Sequence, residues 1–169
     1  MPPTIQLDIV YHVLDTPNRP IIDDSSRMHA AAEWIANRFG LSLLRASISI
    51  VDDPTIQAVN REHLDHDWPT DVVSLLFERI EIADRIEVDG EVICSLDTAQ
   101  QLSAQAQWSA EDELLLYCIH GLLHLAGLDD LDEDQRRQMR QAEQECLAAL
   151  RVAGSENHVS RWDSIHSDL

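Results

Sequence analysis

Lysine is missing altogether: all twelve basic side chains of this 169-residue sequence are arginine, against 31 aspartates and glutamates, and the net charge is −19 at pH 7. A chain this acidic repels polyanions on average, which excludes loose nucleic-acid binding through bulk charge. Contact with RNA needs a local basic site or a bound cation. Glycine (five) and proline (six) are scarce and apolar residues make up 44%, so collagen-like, mucin-like and wholly disordered readings fall away. The three cysteines, Cys94, Cys118 and Cys146, are odd in number, far apart and set among apolar residues. That pattern is no disulfide framework; it fits reduced packing residues of a cytoplasmic protein. No apolar run approaches the roughly eighteen residues of a membrane span, and the opening MPPTIQLDIVYHVLD lacks the basic region and apolar stretch of a secretion signal. What remains is a soluble, cytoplasmic chain with no membrane association. Its length suits one domain that buries about two-thirds of its unfolded surface.

Periodicity supplies the elements. Residues 4–10 alternate as a half-buried strand. Ser25 or Ser26 caps a helix whose apolar positions Met28, Ala31, Ala32, Ile35 and Phe39 share one face, and Gly40 ends it. Residues 46–51 form a second strand, after which Asp53 is the expected N-cap of a short helix with Pro54 in its first position. Strands follow at 71–77 and 91–96, with Asp89-Gly90 as the turn before the latter. A helix of small residues covers 97–107. Ser109 and Asp112 match a capping box at the head of the most apolar helix, 111–126, which stops at Gly127. Asp132 caps a last helix with Met139, Ala142, Cys146 and Leu150 on its apolar side. Whether its acidic residues Glu143 and Glu145 meet a partner or face solvent stays open. This order of elements predicts an α+β fold: a single compact domain over 1–152, a small mixed β-sheet packed by about five helices, and a loose tail over 153–169.

One stretch carries chemistry: HGLLHLAGLDD, residues 120–130. His120 and His124 are four apart, so both leave one face of the helix and can hold one metal ion. With eight histidines in the chain, such a pair arises by chance about 0.4 times, and alone it is weak. Core histidines bonded to backbone carbonyls are the alternative. Against that, the histidines interrupt an apolar helix, Gly127 falls where the chain must turn back, and Asp130 falls where a third ligand belongs; Asp129 is a substitute one residue early. The spacing H-x3-H-x2-G-x2-D is that of a metzincin-like metal-site helix, and three N/O ligands leave an open, catalytic position. Peptide hydrolysis meets an obstacle. Metallopeptidases of this type carry a glutamate after the first histidine as general base, and here that residue is Gly121.

HGLLHLAGLDD is similar to the HGxLHLxGxDH signature of the YbeY-type endoribonucleases, which mature ribosomal RNA. SISIVDDPTIQAVNREHLDHDWPTDVVSLLF resembles that family's strand, helix and P-T-D-V-L-S-F block, and DGEVICSLDTA its L-G-D-I-x-I-S segment. The three blocks stand in the family's order and cover most of residues 46–130. The resemblance implies a compact α+β fold and one divalent metal ion, zinc first, on His120, His124 and Asp130. It also implies cleavage of single-stranded ribosomal RNA, in small-subunit rRNA 3′-end processing and ribosome quality control. Small ribosomal subunit proteins and an assembly GTPase are the implied partners, with no DNA.

Two positions depart from the family. Asp130 stands where a third histidine is usual; it still ligates zinc, and its charge lowers the Lewis acidity of the ion. Leu64 stands where many members carry an arginine for the scissile phosphate. Arg61 or Arg79 is the candidate replacement, each equally readable as a solvated surface arginine. Glu91 replaces an aspartate as site carboxylate and candidate base, against a solvent-facing strand-end charge. Asp71 is expected either to orient a ligand histidine or to cap a turn. His63 and His66 read as surface residues, and Trp68, after Asp67, as a base-stacking surface or a packed loop aromatic. A ribosome assembly factor with a metal-stabilised fold and little nuclease activity is the alternative function, and a metallopeptidase the third.

Overall fold

Alternating and helical periodicities translate into elements in this order: β1 (Thr4–Tyr11), α1 (Ser25–Arg38), β2 (Leu43–Val51), α2 (Asp53–His63), β3 (Val72–Ile82), β4 (Arg85–Ser95), α3 (Leu96–Ala106), α4 (Ala110–Leu125) and α5 (Glu133–Ala149). The computed structural model describes residues 1–13, 23–63 and 70–155. The strands form one sheet in the order β1-β2-β4-β3. β1, β2 and β4 are parallel, and β3 lies antiparallel at the β4 edge. Among the described residues this is the α+β architecture with a mixed sheet and five helices that the element order predicts.

α4 explains why the molecule closes around it. Twelve of its residues between Glu113 and Leu125 are buried, and a helix apolar all round is stable only when surrounded. β4 and β3 lie on one side of it, α1, α3 and α5 on the others. Gly121 makes the closest approach: a Cβ there would collide with the Cγ1 of Val92 on β4. α2 packs on the other face of the sheet, where Ile56 joins Val51, Val73 and Ile93. The three cysteines are buried and free. Burial pushes their thiols up, Cys146 to about 12, so they are inert packing groups.

Several boundaries differ from the sequence reading. Asp89 and Gly90 make no turn; they sit inside β4, and the chain reverses at Ala83, whose φ is 54°. Gly90 is there because a Cβ would lie 2.7 Å from both Leu125 Cδ2 and the Leu75 carbonyl. The hairpin is therefore longer than the strands 71–77 and 91–96, with a register shift between Leu76 and Glu78 that leaves Phe77 63% exposed. Asp52, not Asp53, accepts from the Thr55 N–H at the head of α2. The Asp53 carboxylate instead accepts from the hydroxyls of Ser95 and Thr98 and ties α2 to α3. Asp24, not Ser25 or Ser26, stands at the head of α1, with its carboxylate turned to Arg27. Ser109 caps α4 by accepting from the Asp112 N–H, while the Asp112 side chain bonds Arg27 in place of closing a capping box. Residues 156–169 of the expected tail lie outside the described residues.

Candidate metal centre

Helical geometry brings the two histidines together. His120 and His124 stand one turn apart on α4, rings edge to face at 79° with centroids 4.6 Å apart, and their Nε2 atoms are separated by 3.1 Å. After Leu125 the helix ends in a Schellman turn. Gly127, at φ 114°, donates to the His124 carbonyl, and Leu128 donates to the Leu123 carbonyl. That positive φ suits glycine, and it folds the chain back toward the histidines. Asp130 then faces both rings, its Oδ2 3.6 Å from His120 Nε2 and its Oδ1 3.7 Å from His124 Nε2. Among the described residues, His120, His124 and Asp130 are the group whose donor atoms converge on one point. Asp129 is not its substitute: its Oδ1 accepts from the Asp130 N–H and lies 3.9 Å from the other nitrogen of His124.

The donor set fits an ion. A tetrahedral zinc with bonds of 2.0–2.1 Å separates its ligand atoms by about 3.3 Å, close to the spacings found here. His120 Nδ1 lies 2.7 Å from Glu143 Oε1. An ionised carboxylate only accepts, so the proton is assigned to Nδ1, and Nε2 of the neutral ring carries the lone pair. That lone pair faces the His124 nitrogen at 3.1 Å, an arrangement that calls for a proton or cation between them. Burial, the largest single influence on His120, opposes its charge. The Glu143 hydrogen bond and charge, with the charge of Asp71, outweigh it and hold the pKa above the usual value. Asp130 is shifted the other way: the facing His124 imidazole, against the effect of burial, holds its carboxyl below the ordinary range.

Glu143 was missed in the sequence as a site residue. It is fully buried, not solvated, and Arg140 donates to both of its oxygens at 2.6 and 2.8 Å. A signal was available, because Arg140 and Glu143 flank the apolar stripe of Met139, Ala142 and Cys146 on α5, where charges need partners.

The other candidates separate. The charge of Asp71 acts on His120 and Tyr117, while its carboxylate accepts from the Val72 N–H. Glu91 is not brought to the centre. Side chains alternate along β4, Val92 meets α4 at Gly121, and Glu91 therefore points to the opposite face, where it accepts from the Ser49 hydroxyl. Arg61 is exposed in the last turn of α2, whose Ile56 packs on that same opposite face. Arg79 donates to the Ala126 carbonyl at 3.3 Å and to Glu81, so it caps the C-terminus of α4. His63 is exposed at the end of α2. Thr70 accepts from Asn60 Nδ2 and joins α2 to the start of β3. Leu64, His66, Asp67, Trp68 and Pro69 lie outside the described residues.

The loop that carries Asp130 is fastened at its far end. Asp132 and Gln135 form a full capping box at the head of α5. Gln135 Oε1 also accepts from the Leu131 N–H at 3.0 Å, and Arg136 donates to the Leu131 carbonyl at 3.3 Å. Asp132→Ala is expected to cost about 0.5–2 kcal/mol. Thermal melting of the metal-free chain reads this as a drop of about 2–4 °C per kcal/mol.

The chain is similar to known proteins. The family model described as endoribonuclease YbeY matches residues 20–151. A protein of that name from Rhodopirellula baltica is 40% identical over 115 residues, 67% of this chain and 56% of its own length. Its namesake from Porphyromonas gingivalis is 39% identical over 134 residues, 77% of this chain and 85% of its own. The Salinibacter ruber protein is 32% identical over 145 residues, 83% and 91% of the two chains. A solution structure of a Thermotoga maritima protein shares the fold with a TM-score of 0.53 at 21% identity, covering 90% of this chain and 95% of that one.

Proposed function

The chain belongs to the endoribonuclease YbeY family, and from that premise we propose that it cleaves single-stranded ribosomal RNA with one divalent metal ion, zinc first, on His120, His124 and Asp130. The observation that carries this reading is the convergence of two Nε2 atoms and both Asp130 oxygens within 3.1–3.7 Å. An ion held there supplies Lewis acidity to a water or a phosphate oxygen at its open position. The chain supplies the rest. His120 and His124 would present their Nε2 atoms to the ion, and Asp130 a carboxylate oxygen that offsets part of its charge. Gly121 has no side chain to move a proton, and Glu91 faces the far side of the sheet. Asp71 is the catalytic candidate read from the sequence whose charge acts on His120, and we assign it a positioning role beside the centre. Small-subunit rRNA 3′-end maturation and ribosome quality control in the cytoplasm are the setting. Small ribosomal subunit proteins and an assembly GTPase are the partners.

The net charge of −19 favours one second reading, an assembly factor that meets basic proteins and cuts little RNA. Cleavage of a labelled single-stranded rRNA fragment by wild type and His124→Ala separates the two. Cleavage by wild type alone supports the nuclease; equal cleavage by both, or by neither, removes it. Ribosome association that survives His124→Ala would then favour the assembly factor.

A further inference from the structure

Behind His120 lies a second layer that the cleavage reaction itself does not use. Glu143 is 0% exposed and Arg140 6%, so neither charge has bulk water to stabilise it. The pair is one turn apart on α5, yet it reaches α4 through the 2.7 Å contact between Glu143 Oε1 and His120 Nδ1. Packing alone is a poor reason for this arrangement, since buried ion pairs are commonly replaceable by apolar residues of similar volume without loss of stability. Its geometry has a specific consequence. Glu143 accepts the Nδ1 proton, which leaves Nε2 as the ligand atom and fixes the plane of the ring. Arg140 donates to both Glu143 oxygens from one Nη1 atom. That holds the carboxylate in its rotamer.

We propose that Glu143 and Arg140 are positioning residues for the metal centre, Glu143 by fixing the tautomer and orientation of His120 and Arg140 by holding Glu143. This rests on the metal-site reading above, and the tests separate the two. Zinc affinity of the full chain is measured by competition with a chromophoric chelator, alongside nitrogen-15 spectra of the metal-free protein at mildly alkaline pH that report which nitrogen of His120 carries the proton. Glu143→Ala is expected to lower zinc affinity about 10- to 100-fold and to abolish the single Nδ1–H tautomer. Glu143→Gln, whose amide oxygen still accepts, recovers most of both. Should Glu143→Ala fail to fold, the double variant Glu143→Leu/Arg140→Met removes both charges together and carries the same expectation. Because the two residues act along one path, Arg140→Met changes zinc affinity in the wild-type background and adds nothing to Glu143→Ala.

A folded Glu143→Ala or double variant that binds zinc as tightly as wild type, with the proton still on Nδ1, overturns the proposal. Equal effects of Arg140→Met in both backgrounds overturn the part given to Arg140. A wild-type chain that binds no zinc overturns the metal-site reading itself, and this inference with it.

Discussion

His124→Ala is expected to lower zinc affinity by more than about a hundredfold, beyond the 10- to 100-fold range of outer-layer substitutions, and to leave the fold intact. His124 contributes one of the three convergent donors, so its removal leaves two ligands and opens half the coordination sphere. Its side chain is 21% exposed, and its near polar neighbours are His120, Asp129 and Asp130. Truncation therefore strands no buried ion pair. His120 differs in this respect: the alanine there leaves Glu143 without its imidazole partner, so loss of metal and loss of stability arrive together. Titration of each variant with zinc, read beside its metal-free melting curve, distinguishes them. His124→Ala should melt near the wild-type temperature and gain little stability from added zinc. Wild type should gain stability as binding saturates.

The second large effect lies at Gly121. Writing Gly121→Glu would restore the H-E-x-x-H pattern of a metallopeptidase, and the expected result is a protein that no longer folds stably, not one that cuts peptides. Gly121 is where α4 rests on β4, with Val92 occupying the space of the first side-chain carbon. Overpacking of this kind costs about 1–3 kcal/mol. An unpaired carboxylate buried against the sheet adds a further penalty of about 3–5 kcal/mol. Even Gly121→Ala pays the steric part, and the gain of about 1 kcal/mol in helix propensity does not cover the upper end of that range. Thermal melting checks both. A Gly121→Glu chain that melts near wild type would show that α4 can move off the sheet, against the packing described.

Gly121 also shows how far the sequence could be read. Its neighbours His120 and His124 were legible because four-residue spacing on a helix fixes a shared face, and Gly127 with Asp130 because a helix stop and a return turn have local signatures. Those features depend on a dozen consecutive residues. The reason for Gly121 depends on Val92, and sequence reading saw only that a base was missing. Glu143 is a contact across 23 positions, made by the docking of α5 on α4, and no local spacing announces it. Glu91 illustrates the other failure: like Asp71 it reads as a carboxylate at the start of a strand, and only the alternation of β4, with Val92 against the helix, sends Glu91 to the far face. The turn at Asp89-Gly90 went astray for a related reason: the dipeptide is a strong local turn signal, but Gly90 answers to Leu125 overhead. The alternation of Glu81, Ile82, Arg85, Ile86, Glu87 and Val88 around the true reversal was the better guide.

The account stands on one ion at His120, His124 and Asp130 driving RNA cleavage. Its most direct test is to strip the protein with a chelator, return zinc in steps, and measure bound metal and cleavage of single-stranded rRNA on the same samples. The account predicts no cleavage by the stripped chain and activity that rises in proportion to bound zinc until one ion per chain is reached, with His124→Ala inactive throughout. Cleavage that persists in the stripped chain, or that follows added zinc equally in His124→Ala, would contradict it.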